Sequence, residues 1–320
     1  MRFVVIMDPV ATILPEADTT FALMEEASKR GHRVDHCLNT DLILDGGRLS
    51  ARVAVATMAR NTVPAVKLGE PEVVSLHDVD AVFVRTDPPF DDNYLWSTQL
   101  LEVLRGDTLV VNDPRGLQRA NEKLYTTYFP ELMPETIVTS HKDRIKLFMT
   151  RVGGTAVIKP LDGRGGEGVL VLREGDPNVN AIIETTTKSG RRAAMVQVFL
   201  PEVKIGDKRV LLLNGELLGA VLRVPASDDI RSNLRVGGRA VAAGVEPEEQ
   251  KIIDRLAPKL REDGLFFVGI DLIAGKLTEV NVTSPTGIQS MTRLDGVNYS
   301  GIVIDWIEKA AAAVKSGVRG

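Results

Sequence analysis

The stretch from Ala156 to Leu172 limits what this chain can fold into more sharply than any other, because the residues on both sides of its glycines read as strands. Gly163, Gly165 and Gly168 spell G-x-G-x-x-G. A dinucleotide site built on that pattern needs a helix directly after the glycines, with the pyrophosphate at its N-terminus. Here the glycines lead into Val169-Leu170-Val171-Leu172, aliphatic, with no polar face and no capping residue, and this predicts a strand. Strand, glycine loop, strand describes a flap whose backbone N–H groups approach phosphate oxygens where a Cβ would block them. Lys159, on the strand before the loop, would add a fixed positive charge. On this segment alone, a glycine-rich hairpin without a ligand remains the alternative.

The first third of the chain alternates strand and helix. Phe3 to Met7 predicts a buried strand, and Phe21 to Arg30 a helix capped by Asp18 or Thr19 and closed by Gly31. Val34 to Leu38 predicts a second strand, succeeded by a less regular stretch through Val66. Ala81 to Val84 is another strand, Tyr94 to Arg105 a helix ending at Gly106, and Leu109 to Val111 a strand. Such alternation predicts an α/β fold with a parallel sheet flanked by helices. After Asn112-Asp113-Pro114 hairpins dominate. Asn214-Gly215 joins Val210–Leu213 to Leu217–Leu222, a strong hairpin signal. A second hairpin turns near Gly275, and helices are expected near 145–149, 179–188, 248–262 and 303–314. The main boundary falls near residue 121.

The second hairpin carries candidate metal chemistry. If Ala274 to Lys276 form a three-residue loop, Asp271 lies opposite Glu279, and Asn281 shares the face of Glu279. Oxygen donors of this kind suit Mg²⁺, whereas His32, His36, His77 and His141 offer no zinc spacing. A solvated acidic strand face is the plainer reading. Against it, Asp271 sits within the apolar run Gly269 to Ile273, where an acid without a counter-charge would be costly.

Lys159 before a glycine flap, together with Asp271, Glu279 and Asn281 on a late hairpin, resembles the ATP-grasp superfamily. Several blocks narrow the likeness: Met7-Asp8-Pro9, Arg85-Thr86-Asp87-Pro88-Pro89-Phe90-Asp91, Asn121-Glu122-Lys123-Leu124, Gly206-Asp207-Lys208-Arg209 and Asn281-Val282-Thr283-Ser284-Pro285-Thr286. In order and spacing they look like the bacterial glutathione synthetases over nearly the whole chain. The resemblance implies a Rossmann-like N-terminal domain, residues 1–121, of the kind that precedes ATP-grasp domains. It would be joined to an ATP-grasp domain, 122–316, made of a glycine-flap nucleotide subdomain (about 122–200) and a metal- and substrate-binding subdomain (about 201–316).

The implied activity joins γ-glutamylcysteine to glycine, giving glutathione, ADP and phosphate through an acyl phosphate. By resemblance, Lys123, Lys159 and the flap residues Gly163, Gly165 and Gly166 hold the nucleotide phosphates. Gln197, Val198, Phe199 and Leu200 form the hinge that reads adenine, with Asp207 near the ribose. Asp271, Glu279 and Asn281 match ligands for two Mg²⁺, for which Mn²⁺ can substitute. Arg209 matches a position that stabilises the acyl phosphate and the tetrahedral intermediate. Arg85, Arg223, Asn233 and Ser284 fall on the substrate side, where a guanidinium suits a carboxylate because it is permanently charged and bidentate. Residues 225–244, with Gly237-Gly238 and regularly spaced arginines, have the composition of a lid that keeps water from an acyl phosphate. The sequence departs from the family pattern at Arg164, Ser232 and Arg235-Val236, which bears on the lid's contacts and on strictness for glycine.

Composition bounds these readings. At 320 residues and 44% apolar content the chain can bury a core of two or three layers. A net charge of −4 argues against nucleic acid, while the arginines between Arg209 and Arg239 suggest a local anionic ligand. Cys37, the single cysteine, excludes an internal disulfide framework, fits a reducing compartment, and reads as a small buried hydrophobe rather than a nucleophile. The apolar run ending at Asp8-Pro9 is too short for a membrane span, so a cytoplasmic protein with small-molecule partners, no nucleic acid and no membrane is expected. A homo-oligomer, specifically a tetramer, is implied by the resemblance only. Competing functions are another ATP-grasp carboxylate-amine ligase, of the D-alanine or peptide-end type, and a nucleotide-binding regulatory protein without turnover. A dehydrogenase is disfavoured by the strand after Gly168.

Overall fold

The computed structural model describes residues 1–163, 165–226, 231–232 and 237–317. Arg2–Ile6, apolar from Phe3 onward, forms β1, and α1 (Thr19–Lys29) starts where the Asp18 carboxylate accepts the Phe21 N–H at 2.7 Å. Next come β2 (Arg33–Cys37), β3 (Leu42–Asp45), β4 (Arg48–Met58), β5 (Val66–Ser75), β6 (Ala81–Val84), α2 (Asp92–Leu101), β7 (Leu109–Val111) and α3 (Pro114–Arg119). β1 pairs in parallel with β2 and β6, and β6 with β7, as the alternation predicts. The stretch expected to be irregular is instead an antiparallel addition, with β4 pairing β2, β3 and β5. Its third strand escapes a pattern reading because Lys67 to Val73 are exposed, so no apolar face alternates with a polar one.

The middle of the chain forms β8 (Thr136–Thr139), α4 (Lys142–Arg151), β9 (Thr155–Pro160), β10 (Leu170–Arg173), α5 (Val179–Thr186) and β11 (Ala194–Val198). These strands make an antiparallel sheet in the order β10-β9-β11-β8. Its core is its own, built from Ile145, Phe148, Ile158, Leu172, Ile183 and Val196. The last part comprises β12 (Asp207–Leu213), β13 (Glu216–Val224), β14 (Arg239–Ala242), α6 (Pro247–Glu262), β15 (Phe267–Ile273), β16 (Lys276–Asn281), α7 (Ile288–Asp295) and α8 (Tyr299–Lys315). Its sheet runs β14-β13-β12-β15-β16. Unlike the flap sheet, it shares cores with the first sheet: Val4, Ile6 and Val82 pack in one cluster with Leu256, Val268 and Ile270, and Phe3 and Phe83 in another with Leu211 and Ile304.

Both hairpin turns are two residues long, with positive φ at Asn214 and Gly215 and at Ala274 and Gly275. For the second turn this differs from the expected three-residue loop. A bulge between Asp271 and Leu272 restores the register, so Asp271 still faces Glu279.

Gly116 in α3 has no room for a side chain, since a Cβ there would lie 2.1 Å from the Asp263 carbonyl oxygen. Gly116→Ala should destabilise the protein by about 2 kcal/mol or more, as overpacking does. A denaturation midpoint equal to wild type would show that this contact is not maintained in solution. Cys37 is fully buried and its thiol is pushed up to about 12 by burial, with a smaller contribution from Asp41. The native protein should therefore resist a thiol reagent at pH near 8 and react once per chain in denaturant; rapid native labelling would contradict the burial.

Candidate active site

The flap lies where the sequence places it. β9 and β10 pair antiparallel, Leu170 opposite Ile158, with the glycine loop between them. Two of its glycines answer to sterics: a Cβ on Gly163 would lie 2.7 Å from the Glu167 carbonyl oxygen, and one on Gly168 would lie 2.8 Å from Pro160 Cγ. Gly165 and Gly166 both take positive φ, at 57° and 82°.

Between this hairpin, the end of β11 and the third sheet lies a cavity of about 880 Å³. Lys123, Lys159, Gly163, Gly166, Gln197, Val198, Phe199, Leu200 and Asp207 all line it, together with Asp271 and Glu279. Gly165 lines the neighbouring cavity instead. Lys159 Nζ donates to Gln197 Oε1 at 2.7 Å, and Lys123 Nζ to the Gly163 carbonyl at 2.6 Å. Burial lowers the pKa of Lys159 despite the opposing pull of Glu279. Val157, Val169, Phe199, Leu200 and Ile273 give the same cavity an apolar part, so it offers both a surface for a planar ring and cations for phosphates.

The third sheet gathers its charges by register, Asp207, Asp271 and Glu279 lining this cavity and Arg209 and Arg223 a neighbouring one. Val221 pairs Arg209, Arg209 pairs Asp271 and Asp271 pairs Glu279, while Asp207 pairs Arg223 two residues along. Because side chains alternate along a strand, all of these lie on one face. Asp271 takes Arg209 Nε on Oδ1 at 2.5 Å and Arg209 Nη2 on Oδ2 at 3.0 Å, and Arg223 Nη2 on Oδ2 at 2.9 Å. Burial alone would raise its pKa, but the two guanidiniums hold it well below the usual carboxylate range. Asp207, bonded to Arg223 at 2.5 Å and to the Ser232 hydroxyl at 3.1 Å, is pushed up to about 6, burial outweighing Arg223. Gly269, opposite Asn281, makes room for the Arg209 side chain, whose Cδ would lie 3.2 Å from a Cβ there.

A second cavity, about 870 Å³, opens on the other side of Glu279. Arg209, Arg223, Asn281 and Ser284 line it, with Asp87, Glu122 and Thr283. Glu279 borders both cavities, and its Oε1 is 3.1 Å from Lys123 Nζ. The donor set for a cation is oxygen only: Glu279, the Asn281 amide, whose Nδ2 is 3.3 Å from Asp271 Oδ2, and Asp271 itself, already shared with two arginines. Among the described residues no three His, Cys, Asp or Glu side chains converge as a metal cage. A partial set of hard oxygens suits Mg²⁺, which keeps waters and borrows phosphate oxygens rather than occupying an all-protein site.

Arg85 does not line this cavity. It is buried beneath it, donating through Nη2 to the Pro285 carbonyl at 2.9 Å and through Nε to the Thr20 hydroxyl at 3.1 Å. Burial lowers its pKa to about 10, against the pull of Asp18 and Asp87. The segment 282–287 is in fact anchored from several elements. Glu122 Oε1 accepts the Val282 and Thr283 N–H groups, Arg209 Nη1 donates to the Thr286 carbonyl, and Thr19 Oγ1 accepts the Gly287 N–H. Asn112 ties both ends of the β15–β16 hairpin to the first domain, exchanging bonds with Phe267 N–H and C=O and donating to the Val282 carbonyl. Neither Glu122 nor Asn112 gains a role from the sequence alone; only their positions, beside Lys123 and at the change of architecture, hint at one. Arg164, Asn233, Arg235 and the other residues of 227–230 and 233–236, within the expected lid segment 225–244, lie outside the described residues; Arg231 and Ser232 line the first cavity.

Comparison with known proteins agrees with this geometry. Residues 1–118 match the family model of the prokaryotic glutathione synthetase N-terminal domain, and residues 122–296 that of its ATP-grasp domain. The chain is 44% identical over 313 residues to a glutathione synthetase of Gloeobacter violaceus, covering 96% of each. It is 43% identical over 319 residues to that of a Synechocystis species, covering 97% of this chain and 99% of the other. Among solved structures it shares its fold with a D-alanine–D-alanine ligase from Bacillus anthracis complexed with ATP (TM-score 0.63, 13% identity, 99% of each chain). The same holds for a RimK domain ATP-grasp protein from Sphaerobacter thermophilus (TM-score 0.62, 17% identity, 96% of this chain and 100% of the other). With both family models matched in order on a chain whose two cavities meet at one carboxylate, the protein belongs to the prokaryotic glutathione synthetases.

Proposed function

We propose that the protein joins γ-glutamylcysteine to glycine at the expense of ATP, releasing glutathione, ADP and phosphate. The observation that carries this reading is the meeting of an apolar, lysine-bearing cavity and an arginine-bearing cavity at Glu279. One suits a nucleotide with its phosphates, the other a carboxylate substrate, and the reaction requires two anions to be brought together.

In this reading Lys123 and Lys159 hold the phosphates, the glycine flap covers them, and Gln197 to Leu200 face the adenine. The cysteinyl carboxylate attacks the γ-phosphorus and ADP leaves. The glycine amine then attacks the acyl carbonyl, and the tetrahedral intermediate expels phosphate as the nitrogen loses a proton. Arg209 faces the charge that develops on the acyl oxygen and phosphate, and Arg223 anchors the substrate. Arg85 acts from below, fixing the carbonyl of Pro285 so that Ser284 and Thr286 keep their places at the cavity wall. Asp271, Glu279 and Asn281 would hold Mg²⁺ or Mn²⁺, which supplies Lewis-acid stabilisation and a template for the phosphates. The paired state of Asp271 sets its share: with two guanidiniums on it, it is the weaker donor, and Glu279 the stronger.

The test is to incubate the purified protein with ATP, Mg²⁺, γ-glutamylcysteine and a panel of amines, measuring phosphate release and product mass. Glutathione with glycine is the expected product; product with another amine and none with glycine would overturn the acceptor assignment. The reading also carries a homo-oligomeric, cytoplasmic enzyme, with a tetramer expected by light scattering. Among the described residues no helix is long and apolar enough to cross a membrane.

A further inference from the structure

Among the described residues, three carboxylate side chains line the substrate cavity: Asp87, Glu122 and Glu279. Glu279 is bonded to Lys123 and belongs to the cation-binding set, and Asp87 has partners of its own. Glu122 differs from both. Its Oε1 is saturated, accepting the Val282 N–H at 3.1 Å, the Thr283 N–H at 3.3 Å and the Thr283 hydroxyl at 2.9 Å. Its Oε2 takes no hydrogen bond among the described residues, and no lysine or arginine is bonded to the carboxylate. The side chain is therefore fixed through one oxygen and presents the other to the cavity. An accessible carboxylate oxygen, held in place at the cavity wall with no lysine or arginine bonded to it, suits a ligand that brings a cationic donor.

Both the dipeptide and glycine of the proposed reaction carry an ammonium group, and position decides between them. The Glu122 main-chain carbonyl accepts the Val280 N–H at 2.9 Å, which seats Glu122 against the strand that carries Glu279 and Asn281. Gly165 of the flap and Arg209 line the same cavity. Glu122 thus stands at the reacting end of the substrate cavity, where the acceptor nitrogen must arrive. Resting on the ligase reading above, we propose that Glu122 Oε2 receives the ammonium group of the incoming amino acid and so selects the acceptor.

Glu122→Gln keeps an oxygen for the Val282 and Thr283 bonds and replaces the anionic Oε2 by an uncharged NH2 donor. The expected result is a glycine KM raised about tenfold or more, as for loss of a charge-assisted hydrogen bond, with the KM values of ATP and the dipeptide unchanged. Hydroxylamine, which is uncharged at neutral pH, should trap the acyl phosphate as hydroxamate equally well with the variant and the wild type. An unchanged glycine KM overturns the assignment. So does a parallel loss of hydroxamate formation, which would mark Glu122 as a purely positioning residue, or a rise confined to the dipeptide KM. A wild-type measurement needs no variant: N-methylglycine, which keeps the cation, should compete with glycine, and glycolate, which replaces it by a hydroxyl, should not. Equal competition by glycolate overturns the proposal even if Glu122→Gln fails to fold. Wild-type protein that forms neither glutathione nor hydroxamate overturns the ligase reading itself, and the Glu122 assignment with it.

Discussion

Glu279→Ala should reduce ATP- and metal-dependent turnover by roughly a thousandfold or more, the largest loss expected of any single side chain here. Glu279 alone among the expected metal-binding groups combines three properties. It borders both cavities, its carboxylate is about a quarter exposed and so free to meet a cation, and it is not claimed by an arginine. Removing it also releases Lys123, which would keep its bond to the Gly163 carbonyl and so remain in the nucleotide cavity. The fold should survive, because the side chain is only partly buried and the β15–β16 pairing is made by the backbone. The decisive measurement is steady-state turnover against Mg²⁺ concentration, with circular dichroism as the control on folding. Near-normal turnover at ordinary Mg²⁺ would remove Glu279 from the ligand set.

Arg209→Ala should lower kcat by roughly a hundredfold or more if the guanidinium stabilises charge that exists only during reaction. The side chain is ordered in advance by Asp271, the Thr286 carbonyl and the room left by Gly269, so little reorganisation is needed when charge develops. Two effects must be separated. The substitution breaks a buried ion pair, which can itself cost a few kcal/mol of stability. The loss is tempered by Arg223, which remains 2.9 Å from Asp271 Oδ2 and keeps that carboxylate paired. A drop in kcat with substrate KM values nearly unchanged, in a protein whose far-ultraviolet spectrum matches wild type, supports the transition-state role. A rise confined to the dipeptide KM would make Arg209 a ground-state anchor instead.

The site's chemistry was more legible in the sequence than its scaffolding, and the reason is physical. The glycine flap could be separated from a dinucleotide loop because a single observation, aliphatic residues after Gly168, decides between strand and helix. Asp271 and Glu279 could be brought opposite each other from alternation alone. That pairing survived an incorrect loop length because the bulge beside Asp271 compensates for the shorter turn. The counter-charge expected for Asp271 was a metal cation; the two arginines that pair it depend on which strands neighbour β15, and sequence spacing does not contain that order. Arg209 and Arg223 reach Asp271 from two separate strands, β12 and β13. The same limit explains Arg85. Its block beside Asp87 pointed to the substrate cavity, yet the cross-domain contact with Pro285 that buries it joins residues 200 apart in sequence. Glu122 lies inside a recognised block and Asn112 at the change of architecture, yet neither position revealed a role, because the bonds they make are to residues of distant segments.

The flap sheet with its private core has a thermodynamic meaning beyond catalysis. Since β8 to β11 bury Ile158, Leu172 and Val196 among themselves, while the first and third sheets share cores, the chain is expected to unfold as two cooperative units rather than three. A nucleotide bound in the proposed manner, between Lys159 of one unit and Asp207 and Glu279 of the other, would touch both. By linkage it couples their unfolding, so ATP should merge two melting steps into one transition at higher temperature.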